Sequence, residues 1–379
     1  MKERFGVVVV GGGIIGASAA YYLAQKGRTV LILDQYDVPN QLSASGDHLR
    51  AFRVSHGKDA FYSEMAMRSI PLWLDWNTQA NDKLLVQNGF LELAVQTHGF
   101  EEQGLQVMKE LKVRASKMDK DEVRRNYPMI NTRAIKYAVF QPDGGTIWAW
   151  RTTGAIAALA QRRGAKLRSQ MKVVSLVKEK GAIKGVKDSS GKLWQADAFL
   201  FSGGPWTPEL LKSYRLPIKV TRQHQLYLRP PANRGRYRPE HFPVFACHAK
   251  GFYGFPLHIH GFLKIAEHKK GPPGKPGGAP EPNPAFEKKC RAFLKRFIPE
   301  LASFTDSEAS ICHYDNTPDG DFIIDRLPDV SNGYVACGFA GRGFKFAPLI
   351  GKTLAELISG GKPELNLHRF RLGRFKGRG

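Results

Sequence analysis

The chain has few cysteines, few acidic residues and no long apolar run. Its four cysteines, Cys247, Cys290, Cys312 and Cys337, are scattered through 379 residues. That is too sparse for a disulfide framework, and the spacing is not that of a metal site, so no bound metal is expected. No stretch approaches the ~20 consecutive apolar residues that cross a bilayer. The first apolar segment starts too close to Met1 for a secretory leader. A soluble, reducing, cytoplasmic setting is the expectation. The acid deficit is pronounced: 34 acidic against 57 basic residues, a formal charge of +23. Such a field draws anionic substrates, cofactors, nucleic acid or lipid headgroups. It is concentrated at 368–379, which reads either as a tail contacting an anionic surface or as a solvated end. Elsewhere the cations are scattered rather than set in a stripe with interleaved aromatics, so no specific nucleic-acid partner is expected.

The length suits two intimately connected domains, and an apolar content of 42% is ordinary for a packed core. Residues 7–10, four consecutive valines, run into Gly11-Gly12-Gly13-Ile14-Ile15-Gly16. A helix over 17–25, a second apolar run over 29–33 and Asp34 follow. This is a strand, a glycine turn, a helix, a strand and an acid at the spacing of a dinucleotide site. Gly11 permits the sharp turn, Gly13 lets backbone approach a pyrophosphate, and Gly16 lets helix and strand pack closely. The first helical N–H groups face the phosphates, and Asp34 is placed to accept from a ribose hydroxyl.

Beyond this unit, 41–57 reads as a polar loop and 60–80 as a long amphipathic helix. Residues 89–94 alternate like a strand. Asp119 and Glu122 form a capping-box pattern before a short helix that stops at Pro128. A helix over 153–163 is followed by Gly164 as its stop, then strands at 165–168, 172–178, 181–187 and 196–201. A strand-rich stretch covers 217–267, an exposed Gly/Pro loop 271–278, and a helix 285–297. Strands near 311–316, 321–324 and 334–337 precede a final helix over 344–359. Nucleotide-binding patterns thus lie at both ends and in the middle, with antiparallel material between them. The expected architecture is α/β: a discontinuous Rossmann-type domain (1–85, 150–215 and 310–365), an interleaved α+β substrate domain with a large mixed sheet (86–149 and 216–309), and a basic tail (366–379).

Four blocks, in order, are specific. They are Gly46-Asp47-His48-Leu49-Arg50-Ala51-Phe52-Arg53; Phe252-Tyr253-Gly254-Phe255-Pro256 through Leu263-Lys264-Ile265-Ala266-Glu267-His268; Cys312-His313-Tyr314; and Gly338-Phe339-Ala340-Gly341-Arg342-Gly343-Phe344-Lys345. Together with the glycine fingerprint they resemble the glycine oxidase and sarcosine oxidase branch of the D-amino-acid oxidase superfamily, nearest its monomeric sarcosine oxidases and N-methyltryptophan oxidases. The resemblance spans nearly the whole chain.

It implies FAD as cofactor and a small amino acid and O₂ as partners. An amine would be oxidised by hydride transfer, sarcosine or another N-methyl amino acid being the best guess, with hydrogen peroxide as product. Arg53 and Lys345 match the family's carboxylate clamp. Arg50 matches an arginine that steadies charge on the reduced ring. Lys264 matches the lysine that promotes reaction with oxygen, and Cys312 the cysteine that bonds covalently to the flavin. Tyr253, Tyr314 and His268 match substrate-cavity positions. Gly46, Gly338, Gly341, Gly343 and Phe344 fall in cofactor-contacting blocks, and the N-terminus of a helix starting at Phe344 would face the flavin's pyrimidine edge. The chain is expected to work as a monomer.

Two departures stand out. His48-Leu49 occupies the place of a single threonine in the family's Gly-Asp-Thr-Arg, so His48 is a loop residue or a substrate contact. Arg342 stands where sarcosine oxidases often have histidine. Two other readings stay open: a dehydrogenase of the same fold that uses a quinone or other acceptor, and an RNA-associated flavoprotein related to tRNA-modifying enzymes.

Overall fold

Two large sheets, each of eight strands, dominate the computed structural model, which describes residues 4–230, 234–277 and 283–375. Gly278 of the Gly/Pro loop and 376–379 of the basic end lie outside the described residues.

The first sheet grows from the fingerprint. Arg4–Val10 is flanked in parallel by Val30–Leu33 and Leu193–Phe201, and Lys166–Arg168 and Gly333–Cys337 extend the parallel run on either side. Strands buried on both faces need continuous apolar sequence, which the valine run supplies. An antiparallel hairpin, Val173–Glu179 with Ala182–Asp188, extends one edge. One face is covered by the helices Ile14–Gln25, Ala60–Ala80, Ala149–Arg162 and Ala347–Ile358, whose buried side chains form one continuous core.

The second sheet is mostly antiparallel, with Ser307–Asn316 on its edge, paired along its length with Lys219–Leu228, then Leu263–Glu267 and Phe252–Gly254. A strand's side chains alternate between faces. Leu226, Leu228, Leu263, Ile265 and Phe252 point one way, into a core shared with the helix Pro284–Phe297. The register Gln223 opposite Cys312, Tyr227 opposite Lys264 and Tyr253 opposite Ala266 sends the polar set the other way. Period two thus sorts the sheet into an apolar back and a polar front.

Several elements differ from the sequence reading. The 41–57 segment contains the strand Leu49–Phe52, which pairs with Gly145–Trp148 almost a hundred residues away. Local pattern cannot reveal such a partner. The last helix starts at Ala347, preceded by a tight 3₁₀ turn over Gly343–Phe346. Phe344 and Lys345 therefore sit on that turn and not in the helix, a start that puts Pro348 in the first turn, where its missing N–H costs nothing. A helix at Phe100–Glu110 was not anticipated. Ser307–Asn316, which carries Cys312, pairs within the second sheet although the sequence division at 310 assigns it to the nucleotide side.

The C-terminal end is docked rather than solvated as far as Phe375. Phe370 is fully buried beside Phe61, Tyr62 and Phe322. Arg369 is bidentate on Asp59 and also reaches Asp321; Arg371 pairs with Asp325 and Arg374 with Asp319. No helix of the described residues is long and apolar enough to cross a membrane.

Candidate active site

A cleft of about 410 Å³ runs from the carboxyl ends of the parallel strands to the polar front of the second sheet. Clefts in open parallel sheets form there because crossover loops diverge at the strand ends. Its nucleotide end is lined by Gly11, Gly13, Ile14, Ile15 and Asp34. Gly11 has φ +105°, and a Cβ there would lie 2.5 Å from the Ser202 carbonyl oxygen. A Cβ on Gly16 would lie 1.9 Å from the Gly11 oxygen, so Gly16 serves helix–turn packing behind the cleft. A Cβ on Gly13, by contrast, would meet only Ser45 within 3.9 Å and would otherwise project into free space. Asp34 accepts the Gly12 N–H at 2.7 Å and the Tyr36 N–H at 2.9 Å, which holds the turn and aims the carboxylate. The cradle fits an adenine dinucleotide: a backbone bared by glycine, a helix start without acidic side chains, and an acid beyond it.

At the other end lie Arg50, Arg53, Tyr253, His268, Cys312, Tyr314, Gly341, Arg342, Gly343, Phe344 and Lys345. Nearly every side chain that the sequence placed near the reacting centre is thus brought together from four distant segments. Three are cations without a carboxylate within 4 Å among the described residues. Arg53 Nη1 is buried and has no hydrogen-bond partner among the described residues, and its guanidinium lies over the Phe100 ring at 5.5 Å. Lys345 is buried and donates only to the Arg342 carbonyl oxygen, at 3.1 Å. Arg342 donates to the Gly320 carbonyl oxygen and covers the Tyr62 ring at 4.3 Å. Burial, then Arg53 and Arg342, push the Lys345 ammonium well below the ordinary lysine range. Burial brings Arg53 down to about 10. Crowding one buried and two half-buried cations without a carboxylate carries a desolvation and repulsion cost that a bound anion would relieve.

The neighbouring groups are neutral. Burial, with Arg53 and Lys345 adding to it, lowers His268 to about 3. Burial raises Tyr253 to about 12 and holds Tyr314 well above the ordinary tyrosine value. These side chains face the cleft as hydrogen-bonding groups without charge.

Cys312 Sγ lies 3.7 Å from Arg50 Nη2. Burial raises its thiol and Arg50 opposes, with burial the larger effect. Arg50 also donates to Asp47 at 2.5 Å and to the carbonyl oxygens of Leu49, Ala44 and Gly46.

Lys264, expected to promote reaction with oxygen, is not among the residues that line the cleft. It is wholly buried behind the cleft wall, donating to Asp47 and, at 3.3 Å, to the Leu49 carbonyl oxygen. Burial would raise the Asp47 carboxyl, but Lys264 and Arg50 hold it below the usual range. Tyr227 also donates to it. An Asp47–Lys264–Arg50 cluster, two cations on one carboxylate, therefore backs the cleft wall. Gly46 and Gly338 are likewise outside the wall. A Cβ on Gly46 would clash with the Asn40 carbonyl oxygen at 2.5 Å, and Gly338 donates its N–H to Asp315. His48 does not line the cleft.

The sequence reading missed Ser45, whose hydroxyl accepts the Ile14 N–H at 3.0 Å. It also missed Asp315, which accepts the N–H groups of Gly338 and Ala340, so holding the start of the Gly338–Lys345 segment; burial raises it to about 6. Glu92, which bonds His248 at 2.8 Å behind Arg53, was missed too. For Asp47 and Asp315 a signal existed, an acid inside or next to a quoted block; for Glu92 there was none.

Residues 6–357 match the family of FAD-dependent oxidoreductases known as DAO. The chain is 28% identical over 381 residues to the monomeric sarcosine oxidase of Bacillus sp. (strain B-0618), covering 99% of this chain and 97% of that one. It is 28% identical to the human peroxisomal sarcosine oxidase (99% and 97% covered) and 27% identical to the N-methyl-L-tryptophan oxidase of Salmonella agona (98% and 99%). In fold it is similar to the L-proline dehydrogenase from P. horikoshii, with a TM-score of 0.87 at 22% identity and 99% of both chains covered. It is also similar to NikD, an amino acid oxidase essential for nikkomycin biosynthesis, with a TM-score of 0.82 at 22% identity and 98% of this chain and 98% of that one covered.

Proposed function

The chain belongs to the family of FAD-dependent oxidoreductases that act on CH–NH bonds, and from that premise we propose that it oxidises a small amino acid, a secondary amine such as sarcosine or another N-methyl amino acid being the favoured substrate. The observation that carries this reading is the trio of uncompensated cations, Arg53, Arg342 and Lys345, at one end of the cleft. Each charged hydrogen bond to a carboxylate contributes roughly 1.5–3 kcal/mol, and an α-carboxylate held there is fixed relative to its own α-carbon.

The same cations favour the neutral form of the substrate's amine, because a nearby positive charge disfavours protonation. A neutral amine is the form able to release hydride from the adjacent carbon. Neutral His268 and the protonated Tyr253 and Tyr314 offer hydrogen bonds that orient it. FAD, when bound, would supply two-electron acceptance from that carbon, with O₂ as the final acceptor and hydrogen peroxide as the product. The fingerprint end would hold its adenosine and phosphates, Arg50 would steady charge on its reduced ring, and Cys312 is the residue we assign to a covalent link. The product imine hydrolyses in water to an oxo acid or aldehyde plus an amine.

One observation favours a second reading for the electron acceptor. Lys264 shares the one carboxylate of Asp47 with Arg50 behind the wall, which leaves the cluster a single net positive charge, so the electrostatic argument for oxygen is weaker than the sequence alone suggested. The fold does not decide, since it is shared by proteins named as an oxidase and as a dehydrogenase. An RNA-associated role is supported only by net charge, because Arg369, Arg371 and Arg374 of the basic end are each held by the protein's own aspartates.

The test is anaerobic bleaching of the purified yellow protein by a panel of N-methyl and free amino acids, each beside its methyl ester. The acids should bleach it and the esters should not; equal bleaching by esters would overturn the cation clamp. Readmitting oxygen, or adding a quinone instead, then separates the acceptors. Flavin should stay with acid-precipitated protein and be released from the Cys312→Ser variant.

A further inference from the structure

The extra residue in Gly46-Asp47-His48-Leu49-Arg50 puts an imidazole next to Asp47 and outside the cleft lining, where it meets two others. His258 and His260 lie on the turn between the strands Phe252–Gly254 and Leu263–Glu267. Ring centroids are 5.1 Å apart for His48–His258, 5.9 Å for His48–His260 and 4.8 Å for His258–His260. One nitrogen from each ring lies within 4.8 Å of the other two. We propose that His48, His258 and His260 form a binding site for a divalent transition-metal ion of the zinc or nickel class, a site that the sequence reading did not foresee.

Three neutral imidazoles are a donor set suited to zinc, nickel or copper, and three protein ligands leave a further position for water. Nitrogens at about 2.0–2.1 Å from a shared ion stand roughly 3.3 Å apart, so the rings need only a modest closing rotation. The surroundings allow it. His260 is exposed and His48 half-buried, and among the described residues neither ring makes a hydrogen bond. His258 is the fixed member, stacked on Phe262 at 4.4 Å and edge-on to Trp148 at 4.9 Å. Its Nδ1 accepts the His260 N–H at 3.1 Å. A metal on either nitrogen of His258 ends that contact, because Nδ1 then binds the ion or carries the proton that leaves Nε2. The loss is cheap, because the amide belongs to an exposed turn and can bond to water.

The location gives the ion something to do. His48 precedes the strand Leu49–Phe52 and follows Asp47, the shared acceptor of Lys264, Arg50 and Tyr227. An ion here would tie the 257–261 turn to the segment that holds this cluster, bracing the back of the active site without touching substrate.

The experiment uses full-length, untagged, FAD-loaded protein stripped with chelator, with Zn²⁺ and then Ni²⁺ as probes in calorimetry and thermal melts. Binding of one equivalent is expected, with a raised melting temperature. His260→Gln and His48→Thr should each weaken binding at least tenfold or so, in line with the cost of disturbing metal-site residues. His260 is exposed and away from the cleft, so its variant should fold and turn over substrate as before. Failure to bind an equivalent at about 100-fold excess metal, or unchanged binding in both variants, would overturn the proposal. The latter outcome would assign the ion to other surface histidines such as His241 or His368.

Discussion

Cations gather in two regions of this molecule in opposite circumstances. At the C-terminal end, Arg369, Arg371 and Arg374 each rest on aspartates, Asp59, Asp321, Asp325 and Asp319. At the cleft, Arg53, Arg342 and Lys345 converge with no carboxylate among the described residues within reach. The first arrangement uses charge to pin a chain end to the body. The second keeps charge uncompensated at the cost of desolvation, which is where a protein that must bind an anion differs from one that must only hold together. Lys264 shows the contrast within one residue type: buried like Lys345, it has Asp47, and Lys345 has no such partner.

That contrast can be broken, beginning with the Asp47–Lys264–Arg50 cluster behind the wall. Asp47→Asn strands Lys264 and Arg50 without their counter-charge, and breaking a buried pair typically costs about 3–5 kcal/mol; denaturant unfolding measures it, and a loss below 1 kcal/mol, roughly that of an exposed pair, would refute the pairing. Lys345→Met should act in reverse. It removes an uncompensated buried charge, so stability should hold or rise, while kcat/KM for a carboxylate substrate falls about 10- to 100-fold. Unchanged inhibition by small carboxylates such as acetate would break the comparison.

The pH dependence sharpens it further. Only protonated Lys345 attracts a carboxylate, and its folded pKa lies well below the ordinary lysine value. Carboxylate affinity should therefore be greatest at low pH and decline as pH rises through that depressed pKa, by up to about tenfold per unit. Lys345→Arg should flatten the profile. The smallest effect is expected at the other region. Arg369→Ala removes a partly exposed ion pair and should cost only about 1 kcal/mol, seen as a melting shift of a few degrees or less, with kcat/KM unchanged.

Legibility in the sequence followed the range of the interactions. The glycine turn at Gly11–Gly16 and Asp34 are local, and were readable because helix start, strand and acid lie within one supersecondary unit. The helix Ala60–Ala80 was readable to its boundaries, since its apolar spacing is internal to it. The capping box at Asp119 and Glu122 formed as its spacing required. The strand Leu49–Phe52 was not readable: it is short, carries Arg50 at its centre, and exists through pairing with Gly145–Trp148. Site residues were legible where they sat in contiguous blocks, and their partners were not. Nothing near Arg369 in the chain names Asp59, and nothing near Lys264 names Asp47.

By itself, then, the chain determined which residue types stand at which intervals: a phosphate-cradling turn, a polar-front sheet with Cys312, Tyr314 and Lys264 in register-compatible positions, and a surplus of positive charge. Only the tertiary structure decided which of those charges are neutralised. Period, propensity and capping act over a few residues and are written in the sequence, whereas the field at a buried ammonium depends on groups hundreds of residues away that packing alone brings within a few ångströms.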